Sequence, residues 1–426
     1  MPSKAFLRNA YYWMLCMVAF FIPIAFNLTS LSIILLALSW VLQVKKEFFT
    51  RFMERKALWL WLAFFLLHVA GYFYSTDKAQ ALFDLQTKLS FLLLPFIIGA
   101  GPELRADKLQ MVFTAFVAGC CSGAVFCLLR SIYIYFTAHS TDQFFYHTLV
   151  KDFDANAVYY SFYIFMALGM LLLHKWTNIL SSNRLRIVLV IILFTFLILL
   201  SSKTFIALFI LVVVPLFCRN ILRRKVSKLT FIAGLSGIII LGCIIAFTHN
   251  PIRQRYENVI RQPELQLVHD QNQEFNNLTL RLFLWDMAID DLNQNHLWWT
   301  GCGIGDVAIM QQKTIMAYNA KAHSLDKHPP LWNFNLHNTY LQVLLMIGLP
   351  GLAVLLLMLF IPFFMLRESY SKAVFLVFHI GIVMLMMAEA ALQTEAGIVI
   401  YVLFSMIFYN VYYTHKGKDS LSPAAR

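Results

Sequence analysis

The chain has 426 residues, enough for two or three soluble domains, but 60% are hydrophobic and only 13% charged, where soluble globular chains carry about 25% charged. With a mean hydropathy of +0.68, the apolar surface exceeds what a soluble core can hide, which excludes a soluble enzyme, a disordered chain and a collagen-like chain. A formal charge of +12 then raises the question of membrane side before that of nucleic acid.

Lys4 and Arg8 precede an apolar run at about 11–26 with no small-residue cleavage signal, so a retained first helix is expected rather than a signal peptide. Further runs follow at about 28–44, 57–74, 79–100, 109–137, 156–174, 184–200, 203–218 and 229–248. Three more, at 337–365, 373–391 and 396–414, come after a long polar interval. Most reach the ~20 residues that span a bilayer, and unbroken apolar runs favour helices over alternating barrel strands. The first two runs are separated at Pro23 and Asn27–Ser30, and the fourth contains Lys88. The expected fold is an all-α integral membrane protein of about twelve transmembrane helices. Residues 1–248 hold nine spans, 249–336 form one large outer loop, and 337–426 hold three spans and a cytoplasmic tail.

With the N-terminus in the cytoplasm, the internal links and termini carry 22 of the 34 Lys and Arg. That positive-inside pattern accounts for the basic surplus without nucleic acid. Of seven cysteines, six lie in or at the ends of apolar runs and read as small core hydrophobes. Only Cys302 lies in a long polar segment, and no disulfide framework or CxxC pattern is present. No internal repeat of fixed period occurs. The polar interval is too long for a passive link. It predicts a helix over Asn277–Asn293, with Leu278, Leu282, Trp285, Ile289 and Leu292 on one stripe, and its Trp298, Trp299 and Trp332 suit a membrane interface.

The residues with chemical potential gather where that loop ends. In Leu336-His337-Asn338-Thr339-Tyr340, His337 enters the tenth span. It reads as a base near neutral pH, or as a polar residue capping a helix. Gly348-Leu349-Pro350-Gly351 begins about three turns deeper, roughly 16 Å along the helix, and can kink it or admit a close neighbour. Gly301-x-Gly-x-Gly lacks a surrounding βαβ unit and reads as a turn. His323, His328 and His337 have no compact ligand spacing, so no metal site is expected. Arg130 and Glu389 are charges within apolar runs and so functional suspects, although Arg130 equally suits a helix–helix salt bridge. Asp152 and Asp154 suit either positioning an acceptor or a solvated loop.

His-Asn, nine residues, then Gly-x-x-Gly resembles the signature of the O-antigen ligase and polymerase superfamily of bacterial envelopes. Phe153-Asp154-Ala155-Asn156-Ala157 is similar to its Asp-x-Asn element, and Ser201-Ser202-Lys203-Thr204 to its Ser-Arg element. Arg281 through Trp285, His296 and Gly301-Cys302-Gly303-Ile304-Gly305 resemble its Arg…Trp…Gly-x-Gly-x-Gly stretch. The resemblance covers about 150–415. It implies transfer of a glycan from an undecaprenyl-pyrophosphate carrier on the periplasmic side of the bacterial inner membrane, most simply as O-antigen ligation to lipid A-core. It also implies that His337 activates the acceptor hydroxyl and that Arg281 and Lys203 hold the pyrophosphate, with Arg130 and Asn338 as further candidates. No cofactor is expected, because the donor arrives activated, and the partners are the lipid-linked glycan, lipid A-core or another acceptor, and membrane lipids.

Lys203 stands where the family has Arg, and offers phosphate a point charge without the bidentate fork. Without such a ligand, Arg281 reads as a solvated helix charge near Trp285, and Lys203 as a snorkelling helix end. The resemblance leaves open an O-antigen polymerase or a protein O-oligosaccharyltransferase, although a single dominant outer loop leans to the ligase. A transporter or flippase without chemistry would instead need paired broken helices and an internal repeat.

Overall fold

The computed structural model describes residues 3–153, 155–223, 277–322, 335–365 and 371–420. The apolar run at 229–248, Asp154, His323, His328 and Trp332 lie outside the described residues.

All regular elements among the described residues are helical. α1 (Lys4–Phe21) and α2 (Phe26–Val41) form a hairpin cornered near Pro23, and α3 (Lys46–Glu54) leaves α2 at 111°. α4 (Trp59–Tyr74) is followed by α5 (Lys78–Thr87) and α6 (Leu89–Leu94), which continue through a π turn at Pro95–Gly99. α7 (Ala106–Ala138) is the longest helix, and α8 (Tyr146–Leu149) a single turn. α9 (Ala157–Leu173) and α10 (Asn183–Leu199) precede α11 (Lys203–Leu208) and α12 (Val214–Arg223), which are joined by a second π turn. The polar interval contributes α13 (Asn277–Gln294) and α14 (Val307–Ala322). α15 (Thr339–Met365), α16 (Lys372–Ala388) and α17 (Glu395–Ser420) close the chain.

Among the described residues, six helical stretches are long and apolar enough to cross a membrane, or seven if the bent α2/α3 pair is one span. Shorter apolar helices lie at Ala5–Phe21, Ala157–Leu173 and Lys372–Ala388. The chain is therefore all-helical and multi-pass over its described residues, and the fuller count of twelve belongs with the functional proposal below.

Two helices form the centre, each apolar all round and enclosed by its neighbours rather than facing lipid. Ala157 to Leu171 of α9 is buried at every position, as is Ile398 to Val411 of α17. Aromatic rings join them to their neighbours. Phe378 of α16 meets Phe162, Phe404 and Phe408, and Phe116 of α7 meets Phe404 edge-on. Lys88 ends α5; its ammonium, 1% exposed, lies 3.6 Å from the Asp84 carboxylate one turn back. That pairing is how an otherwise apolar run accommodates a lysine.

The helix ends sort into two groups. At one end Arg51 donates to the Gly101 carbonyl and pairs with Glu103, Arg55 donates to Gly99, and Asn410 donates to the Ile98 and Pro102 carbonyls. These bonds satisfy the backbone where the α5–α6 run unwinds, as non-helical backbone in a membrane protein requires. At the other end the start of α15 meets the end of α16, the start of α17 meets the start of α9, and the polar interval meets the end of α4. The proposed chemistry lies at this second end.

Candidate functional site

The glycine-rich parts of the sequence hold one another. α15 breaks at Ile347 (φ −138°) and Gly348 (φ 69°, ψ −168°), and Trp298–Gly303 runs beside the break. Leu349 N–H donates to Trp298 O at 2.8 Å, Cys302 N–H to Leu345 O at 2.7 Å, and Gly303 N–H to Met346 O at 3.2 Å. A Cβ on Gly348 would sit 2.3 Å from the Trp299 carbonyl oxygen, and one on Gly301 (φ 68°) 2.5 Å from the Met346 carbonyl carbon. Glycine is thus required at both positions by left-handed backbone and by close approach. The kink expected from the Gly-Leu-Pro-Gly stretch is present, and its partner is the other glycine motif.

The same segment is anchored to the membrane helices by Asp306. Its carboxylate accepts from Thr76 N–H (2.6 Å), the Thr76 hydroxyl (2.7 Å) and Asp77 N–H (2.8 Å), while Asp77 caps α5 by accepting from Gln80 N–H at 2.9 Å. Partial burial pushes the Asp306 carboxyl up, but those N–H groups, the hydroxyl and Lys78 together hold it below the usual carboxylate range. Asp306→Ala should therefore lower stability by about 1 kcal/mol, the usual size of a lost cap. A depressed carboxyl stabilises the fold at neutral pH, and that contribution fades as pH falls through its folded-state pKa. Thermal unfolding of both proteins in detergent should show a gap at pH 7 that closes in acid; equal stability at pH 7 would remove the anchoring role.

Each residue of Leu336-His337-Asn338-Thr339-Tyr340 has a distinct task. Leu336 O accepts from Trp285 Nε1 at 2.8 Å. His337 has a left-handed backbone (φ 45°), with its N–H donated to the Asn335 side chain at 2.9 Å. A non-glycine residue there is uncommon, though His tolerates it better than most. Asn338 caps α15: its Oδ1 accepts from Tyr340 N–H (2.9 Å) and Leu341 N–H (3.1 Å). Thr339 Oγ1 donates to Glu389 O and accepts from Ala391 N–H, both at 2.8 Å. The start of α15 is thereby clamped to the turn after α16.

That clamp presents Glu389 to the loop. Its side chain is only 5% exposed, and its two oxygens take different partners. Oε2 lies 2.8 Å from His337 Nδ1, and Oε1 accepts from Arg281 Nη2 at 3.3 Å. A buried carboxylate must be paired, and here both partners are basic side chains. His337 and Arg281 remain 25% and 29% exposed, so both stay open to a ligand. Because a carboxylate oxygen only accepts, the neutral ring carries its proton on Nδ1 and keeps the Nε2 lone pair outward. The spacing of Arg281 and Trp285 on α13 explains the rest. Residues i and i+4 share a helix face, so one reaches Glu389 while the other holds the chain immediately before His337.

Of the residues singled out from the sequence, the structure brings His337 and Arg281 together. Asn338 adjoins them as a buried helix cap. Lys203 begins α11 after a left-handed turn at Ser201 (φ 54°), on a helix packed against α9 and α16. Arg130 is engaged elsewhere: it forms a salt bridge with Asp152 and donates to Gln143 (3.2 Å) and Thr148 O (3.3 Å). Of its two sequence readings, this is a salt bridge across the α7–α9 connection. Asn156 caps α9 by accepting from Val158 N–H at 2.8 Å. Glu389 was visible in the sequence only as an acid in an apolar run, and nothing there named its partners.

No curated protein matches the chain. The model of the O-antigen ligase family matches residues 187–356, a stretch that holds Lys203, Arg281, His337 and both glycine motifs and stops short of Glu389. Over that segment the chain is similar to the O-antigen ligase superfamily.

Proposed function

We propose that this protein is a twelve-span enzyme of the bacterial inner membrane that transfers a glycan, on the periplasmic side, from undecaprenyl pyrophosphate to lipid A-core. The observation that carries the reading is the Glu389 junction, which holds an outward-facing imidazole next to a guanidinium at one end of the helix bundle. The sidedness is supported by Arg51 and Arg55 of a basic link, which lie at the opposite end of the helices.

The chemistry follows from those groups. His337 Nε2 takes the proton of an acceptor hydroxyl as its oxygen attacks the anomeric carbon of the donor glycan. The bond from that carbon to the diphosphate oxygen breaks, and undecaprenyl pyrophosphate leaves with the electron pair. Arg281 and Lys203 stabilise the negative charge growing on the leaving group, where fixed positive charge is worth most. Glu389 holds the ring in the required tautomer and offers a counter-charge once the ring has taken the proton. Asn338 acts by capping the helix that begins just after His337, and Arg130 acts through its salt bridge with Asp152.

Deleting the gene and analysing envelope glycans tests the assignment. The expected result is loss of O-antigen-capped lipopolysaccharide with the lipid-linked polymer retained. Loss of the polymer itself would replace ligation by polymerisation. Unchanged glycans, with a glycoprotein losing its modification, would make the acceptor a protein.

A further inference from the structure

The end of the bundle that carries Glu389 also contains a cavity of about 660 Å³, within the roughly 300–1,000 Å³ usual for ligand sites. Its walls come from the α1–α2 corner and Asn27 at the start of α2, from Phe83 on α5, Asp152 and Asn156 before α9, Tyr159 on α9, and Gln393 and Glu395 before and at the start of α17. It adjoins the proposed catalytic groups. Gln393 is four residues beyond Glu389, and its Nε2 lies 2.9 Å from Met346 Sδ at the α15 break. Thr394, also on the wall, donates to the Tyr159 hydroxyl at 3.3 Å.

The lining selects among the parts of the substrates. No Lys, Arg or His lines the cavity among the described residues, while two carboxylates do. A diphosphate would meet no cation on that wall but the Glu395 carboxylate and an Asp152 already paired with Arg130, so the leaving group belongs with Arg281 and Lys203 instead. A polyprenyl or acyl chain would pack on Ile24, Phe26, Phe83 and the tyrosine rings but would strand Asn27, Asn156, Gln393 and Glu395 against hydrocarbon. What remains is a ligand with many hydroxyls and apolar ring faces. Asn27, Asn156, Gln393 and Glu395 supply acceptors and donors. Tyr160, also on the wall, stacks on Phe153 at 5.9 Å and adds flat apolar surface.

We infer that this cavity binds a phosphate-free saccharide and positions its hydroxyls toward His337. The inference rests on the glycan-transfer reading, which makes both donor and acceptor sources of such a sugar. It goes beyond that reading in assigning the sugar a place away from the pyrophosphate-binding residues.

The test is direct binding to the full chain in nanodiscs, so that it does not depend on turnover. One probe is core oligosaccharide from the source strain's lipopolysaccharide, deacylated and dephosphorylated. The other is glycan released from its lipid-linked donor. At least one should bind, and which one does identifies the source. Glu395→Gln and Asn27→Ala, exposed residues on different walls, should each weaken binding about tenfold, the loss of one strong hydrogen bond. Inorganic pyrophosphate should not compete. His337→Ala should bind the sugar like wild type while transferring nothing, so a failed catalytic assignment and a failed cavity assignment give different results. Absence of binding by either glycan, wild-type affinity in both cavity variants, or competition by pyrophosphate would each overturn the inference.

Discussion

His337→Ala should abolish glycan transfer while the protein remains folded and inserted. An acceptor hydroxyl is a weak nucleophile at neutral pH, and a positioned base is worth roughly 10²–10⁴ in rate. His337 meets the geometric requirements for that base. Its Nδ1 is held 2.8 Å from a carboxylate, and a quarter of the side chain is open to a ligand. Arg281 shares the carboxylate but carries a different burden, since it would meet the diphosphate in the ground state and more strongly as charge develops. The two variants should therefore separate. His337→Ala keeps donor affinity and loses turnover, whereas Arg281→Ala loses part of both. Binding of purified lipid-linked donor, measured beside single-turnover transfer, distinguishes them. Wild-type turnover by a well-expressed His337→Ala protein would sink the catalytic assignment, and equal loss of donor binding in both variants would make His337 a substrate ligand instead.

The separation between what was and was not legible in the sequence follows from the range of the interactions. Gly348 and Pro350 lie in one local stretch, so their composition carries meaning without knowledge of the fold, and the expected kink is there; His337 instead stands just before α15 in left-handed backbone, outside the helix that the sequence has it entering. Arg281 and Trp285 share a helix face for the same local reason. The apolar periodicity that marks membrane spans is equally local, and it foretold an all-helical, multi-pass chain. Glu389 is a different case. It lies 52 residues from His337 and 108 from Arg281, and a lone acid in an apolar run gives no hint of either. The pairing of Gly301 and Gly303 with the α15 break is likewise tertiary. Each motif invited its own explanation, and only the fold shows that they share one.

Arg130 shows the converse, where sequence position left two readings open and the fold supplies a partner for one of them. A charge in the outer part of a span is a functional suspect because burying it is costly. The cost is met here by Asp152, Gln143 and the Thr148 carbonyl, all within 22 residues along the chain. The residue then acts as a brace that fixes the approach to α9. This brace also positions Asp152 on the wall of the cavity inferred to bind saccharide, so its influence on the reaction would pass through sugar binding.

Glu389→Gln should reduce turnover by about 10³–10⁴ with little change in fold, and the reason is tautomeric. The carboxylate presents acceptors to both neighbours, accepting a hydrogen bond from Arg281 at Oε1 and one from His337 at Oε2. A carboxamide of the same shape has one acceptor and one donor edge. Arg281 can only donate and so claims the amide oxygen, which turns the amide NH₂ toward His337. The ring must then accept at Nδ1 and carry its proton on Nε2, where the acceptor hydroxyl needs a lone pair. In serine proteases the corresponding amide substitution costs about 10⁴ with geometry intact. Glu389→Asp keeps an acceptor-only carboxylate, one methylene shorter, and should recover much of the lost rate. A purely structural role predicts the reverse order, because Gln preserves the volume of this 5%-exposed side chain and Asp does not. Comparing transfer rates and unfolding temperatures of the two variants decides it: a Gln variant as active as wild type, or an Asp variant slower than Gln, would leave Glu389 a packing residue.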